Sequence, residues 1–221
     1  MRVLMVTAHP DDCIAFLGTA LKFKKEFGAK LMEITLTKGE ENDVEGSREE
    51  EMKKVSKLIG YKHKFLNGED FNLTRSKELI YRLIKEIRDF KPNIVITLPP
   101  YDYHNDHRKT FEITQEAVRF ARTGLKTDEL GERWQVDLFM YSDSLHLLKR
   151  PTLYFDITNY FDEKLEAWRM FSSQTTDRIT RMLEGLALLR GAEINVKYAE
   201  AFEVYEYFPL NFDRLIALFK K

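Results

Sequence analysis

Two short stretches of the sequence concentrate side chains that can bind a metal ion or transfer a proton. The first is HPDD, residues 9–12, which follows the apolar run of residues 3–6 after Thr7 and Ala8. The second is HNDH, residues 104–107, which follows another apolar run at residues 93–98. Three of the five histidines of the chain lie in these two stretches. Imidazole and carboxylate groups are the usual ligands of catalytic zinc, so the first hypothesis is a metal site.

The spacing within these stretches suits one metal ion with an adjacent base. His9 and Asp12 stand three residues apart across a turn, so their side chains can converge on an ion while Asp11 points at a different angle. His107 completes a set of two imidazoles and one carboxylate, which leaves a coordination position for water or substrate. In the alternative interpretation, Asp11 and Asp12 only cap a helix and complement its dipole. The second histidine-containing stretch favours the metal.

The surrounding sequence predicts strands that alternate with helices. Apolar runs typical of buried strands cover residues 3–8, 31–37, 64–66 and 93–98, and helical periodicity covers residues 15–27, 47–59, 75–90 and 111–122. This alternation predicts an α/β fold with a mostly parallel sheet and helices on both faces. In the usual doubly wound strand order 3-2-1-4, strands 1 and 4 are neighbours, and the crevice beyond their carboxyl ends is the expected ligand site. HPDD and HNDH should meet there.

The second half of the chain is less regular. Strands are predicted at residues 138–142, 153–156 and 202–207, the last of them at a sheet edge, and helices at residues 161–171 and 178–189. We expect a single domain over residues 1–221, with a core of about residues 1–145 and C-terminal strands and helices from about residue 146. Residues 38–46 and residues 123–133 are the two segments most expected to be mobile.

Composition and charge exclude several classes of partner. The 35 basic and 36 acidic residues give a net charge of −1, so no electrostatic footprint for nucleic acid exists. No apolar run approaches the roughly 18 residues that a membrane-spanning helix needs, and no secretory signal pattern is present. The single cysteine, Cys13, rules out an internal disulfide and is compatible with a reducing compartment. We expect a cytoplasmic protein that acts on a small molecule.

The sequence resembles the N-acetylglucosaminyl-phosphatidylinositol de-N-acetylase family, the PIG-L or LmbE-like zinc deacetylases. The resemblance rests on AHPDD at residues 8–12 and HNDH at residues 104–107. It extends to SREEE around Arg48, to DITNYFDEKLEA, to the SQ pair that ends at Gln174, and to YAEAF at residues 198–202. It implies a Rossmann-like α/β fold and zinc-dependent removal of acetyl groups from substrates that contain N-acetylglucosamine.

The resemblance also implies a role for each residue of the two motifs. The implied ligands of Zn²⁺ are His9, Asp12 and His107. Asp11 would act as the general base that accepts a proton from water. His104, protonated and oriented by Asp106, would stabilise the oxyanion.

Contacts to the substrate are expected from three further residues, which are Arg48, Tyr103 and Asp70. Arg48 and Glu51 could instead form a solvated ion pair on a helix, and Tyr103 could pack against the site wall. Cys13 stands where the family usually has glutamate. It could bind zinc, although packing against the sheet is the plainer interpretation.

Three functions remain open on the sequence alone. The first is a zinc-dependent sugar N-deacetylase that releases acetate and a free amino sugar. The second is another metal-dependent hydrolase on the same scaffold, acting on phosphate esters or other amides. The third is a non-enzymatic module that binds a sugar or a nucleotide. Relatives of the first kind often assemble into trimers or hexamers, so a homo-oligomer is also expected.

Overall fold

The computed structural model of the protein describes residues 1–43, 47–144, 146–206 and 208–220. Within these residues, the strands are β1 (Arg2–Thr7), β2 (Lys30–Thr35), β3 (Lys62–Phe65), β4 (Ile94–Thr97), β5 (Leu138–Ser142), β6 (Leu153–Asp156) and β7 (Ala199–Val204). They form one sheet in the order β3-β2-β1-β4-β5-β7-β6. Strands β1 to β5 run parallel, whereas β7 lies antiparallel between β5 and β6.

The helices in the described part of the chain are α1 (Leu17–Phe27), α2 (Arg48–Ile59), α3 (Lys77–Phe90), α4 (Asn105–Ala121), α5 (Thr127–Leu130), α6 (Phe161–Met170), α7 (Asp177–Glu193) and α8 (Phe212–Phe219). Short 3₁₀ turns cover Asp12–Ala15, Glu40–Asn42 and Thr158–Tyr160. Among all these described helices, none combines the length and apolarity needed to cross a membrane.

Alternate residues of the central strand β1 face two different apolar layers. Val3 and Met5 pack in one cluster with residues of α1, α2 and α6. Leu4 and Val6 pack in a second cluster with residues of α3 and α4. Both faces of a parallel sheet are covered in this way, which is why β1 is apolar throughout its centre. The predicted α/β fold, with a mostly parallel sheet and helices on both faces, is confirmed.

The predicted order of the first four strands is also confirmed. Strand β1 pairs with β2 on one side and with β4 on the other, so that Val6 lies opposite Ile34 and Thr97. Strands β2 and β3 therefore extend the sheet on one side of β1, and β4 and the later strands extend it on the other. The carboxyl ends of these two strands open onto the crevice that binds ligands in doubly wound folds. HPDD follows β1, and HNDH follows β4.

Two expectations about the elements were wrong. The last strand does not lie at the edge: β7 pairs with both β5 and β6, and β6 is the edge strand. Helix α4 begins at Asn105, six residues before the predicted start at residue 111. The reason is that its first turn is made of the polar HNDH residues, which carry no apolar periodicity. Residues 44–46 of the loop expected to be mobile, residue 145 at the expected core boundary, and residue 207 lie outside the described residues.

The carboxylate of Glu200, on β7, caps the start of α1. It accepts hydrogen bonds from the backbone N–H groups of Gly18 and Thr19 at 3.0 and 2.7 Å. It also pairs with the buried ammonium group of Lys164. Glycine at position 18 leaves room for these contacts, because a Cβ would lie 2.8 Å from Cδ1 of Ile157 and 2.9 Å from Oε1 of Glu200. The C-terminal part of the chain thereby holds the helix that follows the HPDD loop.

A buried arginine of α3 holds the end of α4. Arg88 is 1% exposed, and its guanidinium donates hydrogen bonds to five backbone carbonyls, those of Phe120, Ala121, Thr123, Leu125 and Gly131. A cation at this position also complements the dipole of α4. Because α4 begins with HNDH, Arg88 fixes the helix that carries half of the candidate site.

We predict that Arg88→Met lowers the free energy of unfolding by about 3 kcal/mol or more, because five buried or partly buried carbonyls lose their donor. For a chain of this size, the melting temperature should fall by roughly 6 °C or more. Arg88→Lys keeps the charge and should lose less. Thermal unfolding followed by circular dichroism measures all three proteins, and an unchanged Arg88→Met variant would contradict this anchoring role.

Candidate active site

The loops after β1 and β4 bring three histidines together. The ring centroids of His9 and His104 lie 4.9 Å apart, those of His9 and His107 lie 5.4 Å apart, and those of His104 and His107 lie 4.8 Å apart. His9 lies in the turn that leaves β1, whereas the other two lie at the start of α4. The two sequence motifs therefore form one site, as their places in the strand order predicted.

Asp12 lies between two of these imidazoles. Its Oδ1 is 3.1 Å from Nε2 of His107, and its Oδ2 is 3.3 Å from Nδ1 of His9. Oδ2 also accepts hydrogen bonds from the backbone N–H groups of Ala8 and His9. Burial would raise the pKa of Asp12, but the charges of His107 and His9 outweigh it and hold this pKa well below its usual value. The carboxylate is thus ionised and fixed between the two rings.

His107 is oriented by Asp102, a residue that the sequence analysis did not single out. Nδ1 of His107 donates to Oδ2 of Asp102 at 2.9 Å, and the same oxygen accepts the hydroxyl of Ser144 at 2.5 Å. Burial would lower the pKa of His107, but Asp12 and Asp102 outweigh it and raise this pKa to about 10. A carboxylate behind a ligand histidine is common in metal sites. The signal in the sequence was an aspartate five residues before His107.

His9 has carboxylates at its other ring nitrogen. Nε2 lies 3.1 Å from Asp70 and 3.5 Å from Asp106. Burial would lower the pKa of His9, but Asp12 and these two aspartates outweigh it and raise this pKa well above its usual value. The structure differs from expectation for Asp70, which is 4% exposed and lies behind His9. Asp70 is therefore placed to orient His9, whereas a contact with the substrate was expected.

The carboxylate of Asp106 does not orient His104, as the resemblance had implied. It is completely buried and accepts the backbone N–H groups of Phe71 at 2.8 Å and Leu73 at 3.2 Å. Its remaining contact is with His9. Burial would raise the pKa of Asp106, but the hydrogen bond and charge of His9, followed by the two backbone N–H groups, hold this pKa below its usual value. Asp106 therefore connects the segment after β3 to His9.

His104 caps α4 and is placed as a neutral ring. Its Nδ1 accepts the backbone N–H of Asp106 at 3.3 Å, so this nitrogen carries no proton and Nε2 is the donor. Burial, followed by the charges of His9 and His107, lowers the pKa of His104. The resemblance implied an imidazolium at this position, whereas the direction of this pKa shift and the hydrogen bond to Nδ1 favour a neutral ring.

The carboxylate of Asp11 is held by Arg48. Nη2 of Arg48 donates to Oδ1 of Asp11 at 2.6 Å, and Nη1 donates to the carbonyl of Gly39 at 3.0 Å. Burial and the charge of Asp12 raise the pKa of Asp11, although Arg48 and His9 oppose this. Gly39 has φ +71°, and a Cβ there would overlap the guanidinium of Arg48. The loop after β2 thus positions the candidate base through an arginine.

Arg48 and Glu51 do not form the solvated ion pair that their spacing allowed. Both are buried, at 5% and 3% exposure. Glu51 accepts hydrogen bonds from the hydroxyls of Ser172 and Ser173, at 2.9 and 2.6 Å. Glu51 therefore fixes Ser172 and Ser173, which precede Gln174, whereas Arg48 binds the carboxylate of Asp11.

Tyr103 is exposed at the surface of the site, whereas Cys13 is buried. Tyr103 is 62% exposed and stacks on His146, with ring centroids 4.7 Å apart. The thiol of Cys13 is buried, with its Sγ 3.6 Å from the carbonyl of Pro10 and 3.9 Å from the hydroxyl of Tyr61. Burial raises the pKa of Cys13 well above its usual value. A buried neutral thiol fits a packing role.

A small cavity lies against Asp11, Asp12 and His107. Its volume is about 80 Å³, and its other walls are mainly apolar, including Ile14, Leu98, Trp168 and Leu183. Sites for drug-sized ligands typically measure about 300–1,000 Å³. The cavity is therefore suited to a small group with an apolar end, such as an acetyl group, and is too small for a sugar ring.

The described side chains include two groups that could hold a metal ion, which are His9 with His104 and His107, and His9 with Asp70 and Asp106. Within each group the ligand atoms lie within 4.8 Å of one another. Asp12 belongs to neither group, although it contacts both His9 and His107.

The donor chemistry of the site fits zinc. Tetrahedral ligands about 2.0–2.2 Å from zinc lie roughly 3.3–3.6 Å from one another. The two contacts of Asp12, Oδ1 to Nε2 of His107 at 3.1 Å and Oδ2 to Nδ1 of His9 at 3.3 Å, lie near this spacing but involve different oxygens of the carboxylate. The raised pKa values of both histidines show that the carboxylates around them attract positive charge. A divalent cation would supply that charge once these protons leave.

Comparisons with known proteins agree with this geometry. The sequence model of the family described as "PIG-L: GlcNAc-PI de-N-acetylase" matches residues 4–118. The diacetylchitobiose deacetylase of Thermococcus kodakarensis is 28% identical over 223 residues, which cover 90% of this chain and 81% of that protein. The 4-oxalmesaconate hydratase of Pseudomonas putida is 25% identical over 232 residues, which cover 90% of this chain and 87% of that protein.

A solved structure extends the likeness to the whole fold. The N,N'-diacetylchitobiose deacetylase from Pyrococcus horikoshii, in complex with its inhibitor MPG, superposes with a TM-score of 0.81 at 26% identity. The superposition covers 97% of this chain and 88% of that chain. The family match of residues 4–118 is more than half of the chain and includes the three histidines and five aspartates of the site. The chain is therefore a member of the PIG-L, or GlcNAc-PI de-N-acetylase, family.

Proposed function

We propose that this protein is a zinc-dependent hydrolase that removes the N-acetyl group from a substrate containing N-acetylglucosamine. The products are acetate and a free amino sugar. The observation that carries the proposal is the placement of Asp12 between His9 and His107, with Asp11 beside it and held by Arg48. The deacetylases among the relatives support the choice of an amide substrate.

His9, Asp12 and His107 would hold the zinc ion, as the resemblance implied. Bound zinc would supply a Lewis acid that polarises the amide carbonyl and lowers the pKa of a water molecule. Three aspartates would orient these ligands without binding the ion. Asp102 contacts a ring nitrogen of His107. Asp70 and Asp106 contact a ring nitrogen of His9.

Asp11 would accept the proton of the attacking water. Arg48 binds Oδ1 and so fixes the carboxylate, and we assign the other oxygen, Oδ2, as the acceptor. The raised pKa of Asp11 brings this carboxylate closer to the range in which a general base works at neutral pH. Once protonated, Asp11 can also return this proton to the leaving nitrogen when the carbon–nitrogen bond breaks.

His104 would donate a hydrogen bond from Nε2 to the oxyanion. A neutral imidazole is sufficient for this, because its Nδ1 is already an acceptor and its Nε2 keeps a proton. The sequence alone left open whether Asp11 or His104 protonates the amine. The neutral state of His104 and the raised pKa of Asp11 favour Asp11 as the proton donor.

The site offers little to a phosphate group. Arg48 is occupied by Asp11 and by the carbonyl of Gly39, and Arg108 is occupied by the carbonyls of Asp102 and Tyr103. The small cavity with apolar walls suits the acetyl methyl group instead. Tyr103, exposed at the rim, remains a predicted contact for a sugar ring. Location in the cytoplasm, assembly into trimers or hexamers, and the single-domain organisation also remain predictions.

We predict one zinc ion per chain and its loss from Asp12→Ala and His107→Ala. Both substitutions remove a proposed ligand, so the apparent dissociation constant for zinc should rise by about tenfold or more. Asp11→Asn is the matched control, because it changes the adjacent aspartate without removing a ligand. Metal content after dialysis, measured by inductively coupled plasma mass spectrometry, separates the variants. Equal zinc content in Asp12→Ala and Asp11→Asn would overturn the assignment.

We further predict that Asp11→Asn lowers kcat by about a hundredfold or more, because the amide cannot accept the proton from water. The variant should keep its zinc and its melting temperature. Arg48→Met should have a smaller effect, since it leaves the Asp11 carboxylate in place but unheld. Steady-state kinetics on zinc-loaded proteins test both variants. If Asp11→Asn retains full kcat, another group is the base.

The reaction itself is tested with zinc-loaded protein and a panel of N-acetylglucosamine, its chito-oligomers and inositol-linked conjugates. Acetate and primary amine should appear in equal amounts. Phosphate esters are included to test for a different hydrolase activity. An unsaturated polycarboxylic acid is included to test for hydration, because one relative is named a hydratase. Turnover only in one of these two tests, or none despite full zinc occupancy, would reject the proposed function.

A further inference from the structure

Phe71 is an exposed aromatic residue at the mouth of the site. Its side chain is 73% exposed, and its ring lies edge-on to His104 with centroids 6.0 Å apart. It does not line the small cavity against Asp11 and Asp12. Its backbone has φ +63°, in the left-handed region that bulky residues rarely adopt.

The buried carboxylates behind His9 account for this backbone conformation. The N–H of Phe71 donates to Asp106 at 2.8 Å and to Asp70 at 3.0 Å. Any residue except proline would supply this N–H, and glycine or asparagine would do so with less strain. The hydrogen bonds therefore explain the conformation of residue 71, but they do not explain why its side chain is a phenyl ring.

Packing does not explain the ring either, because most of it faces solvent. Tyr103 is also exposed, and its ring centroid lies 6.1 Å from that of His104. Two exposed aromatic rings thus lie near the histidine proposed to stabilise the oxyanion. An exposed aromatic face offers apolar area on which the apolar face of a ring-shaped ligand can pack.

We propose that Phe71 binds a sugar ring next to the one that carries the reacting acetamido group. This inference rests on the proposed function. The cavity of about 80 Å³ accommodates the acetyl group and little else, so the remainder of the substrate must lie outside it, over the rim. Phe71 is fixed there by its backbone and gains little contact from its own chain. The protein should therefore prefer a disaccharide or a longer conjugate to a monosaccharide.

The test compares the hydrolysis of N,N'-diacetylchitobiose with that of N-acetylglucosamine. For Phe71→Ala, the ratio of kcat/KM values for the two substrates should fall about three- to tenfold, mainly through KM for the disaccharide. Phe71→Tyr keeps an aromatic face and should retain most of the preference. Phe212→Ala is the matched control, since Phe212 is 69% exposed on α8, outside the site. It should leave the ratio unchanged.

Two further measurements separate substrate binding from a structural role. Phe71→Gly should unfold at the same temperature as the unmodified protein or higher, because glycine relieves the positive φ. Isothermal titration of Asp11→Asn and of Asp11→Asn with Phe71→Ala should show weaker binding of the disaccharide in the double variant.

Each result has a distinct consequence. Acetate release with an unchanged substrate ratio in Phe71→Ala would overturn the role of Phe71 and leave the proposed function intact. A lower melting temperature in Phe71→Gly, with unchanged disaccharide binding, would instead assign the ring to stability. Absence of acetate from both substrates with zinc-loaded, unmodified protein would reject the proposed function and this inference with it.

Discussion

The arrangement of the site depends on a concentration of negative charge beside the carboxyl end of β1. Asp12 cannot be buried between His9 and His107 unless positive charge compensates it, because an isolated buried carboxylate is strongly destabilised. The two imidazoles provide that charge by holding protons, and a metal ion can provide it in their place. Folding therefore prepares a position where a cation is stabilised before any substrate arrives.

The same balance of charges shifts the pKa values of neighbouring aspartates in opposite directions, and likewise those of neighbouring histidines. Asp12 has a lowered pKa because two imidazoles face it, whereas Asp11 has a raised pKa because burial and Asp12 outweigh the effect of Arg48. Among the histidines, His107 has a raised pKa and His104 a lowered one. Adjacent groups with pKa values moved in opposite directions can divide the work of binding an ion and transferring protons.

Much of the fold and the convergence of the two motifs could be predicted from the sequence. The apolar strands have clear boundaries, and the doubly wound order places HPDD beside HNDH. The detailed contacts could not be predicted, because they depend on side chains that are distant in the chain. Asp70 and Asp106 meet at His9 only after β3 and α4 have packed, and Asp102 reaches His107 through a turn that has no apolar pattern. The interior position of β7 likewise depends on strand pairing that is not encoded in local periodicity.

The in-register pairing of β1 with β4 has a consequence for how such a protein can change during evolution. One residue of a strand advances the chain by about 3.3 Å, similar to the 3.1 Å that separates the side-chain atoms of Asp12 and His107. Deleting one residue within β1 would therefore shift HPDD, and deleting one within β4 would shift HNDH, by about the length of the contact between Asp12 and His107. Restoring the contact would require a matching deletion in the other strand, so the lengths of β1 and β4 constrain each other.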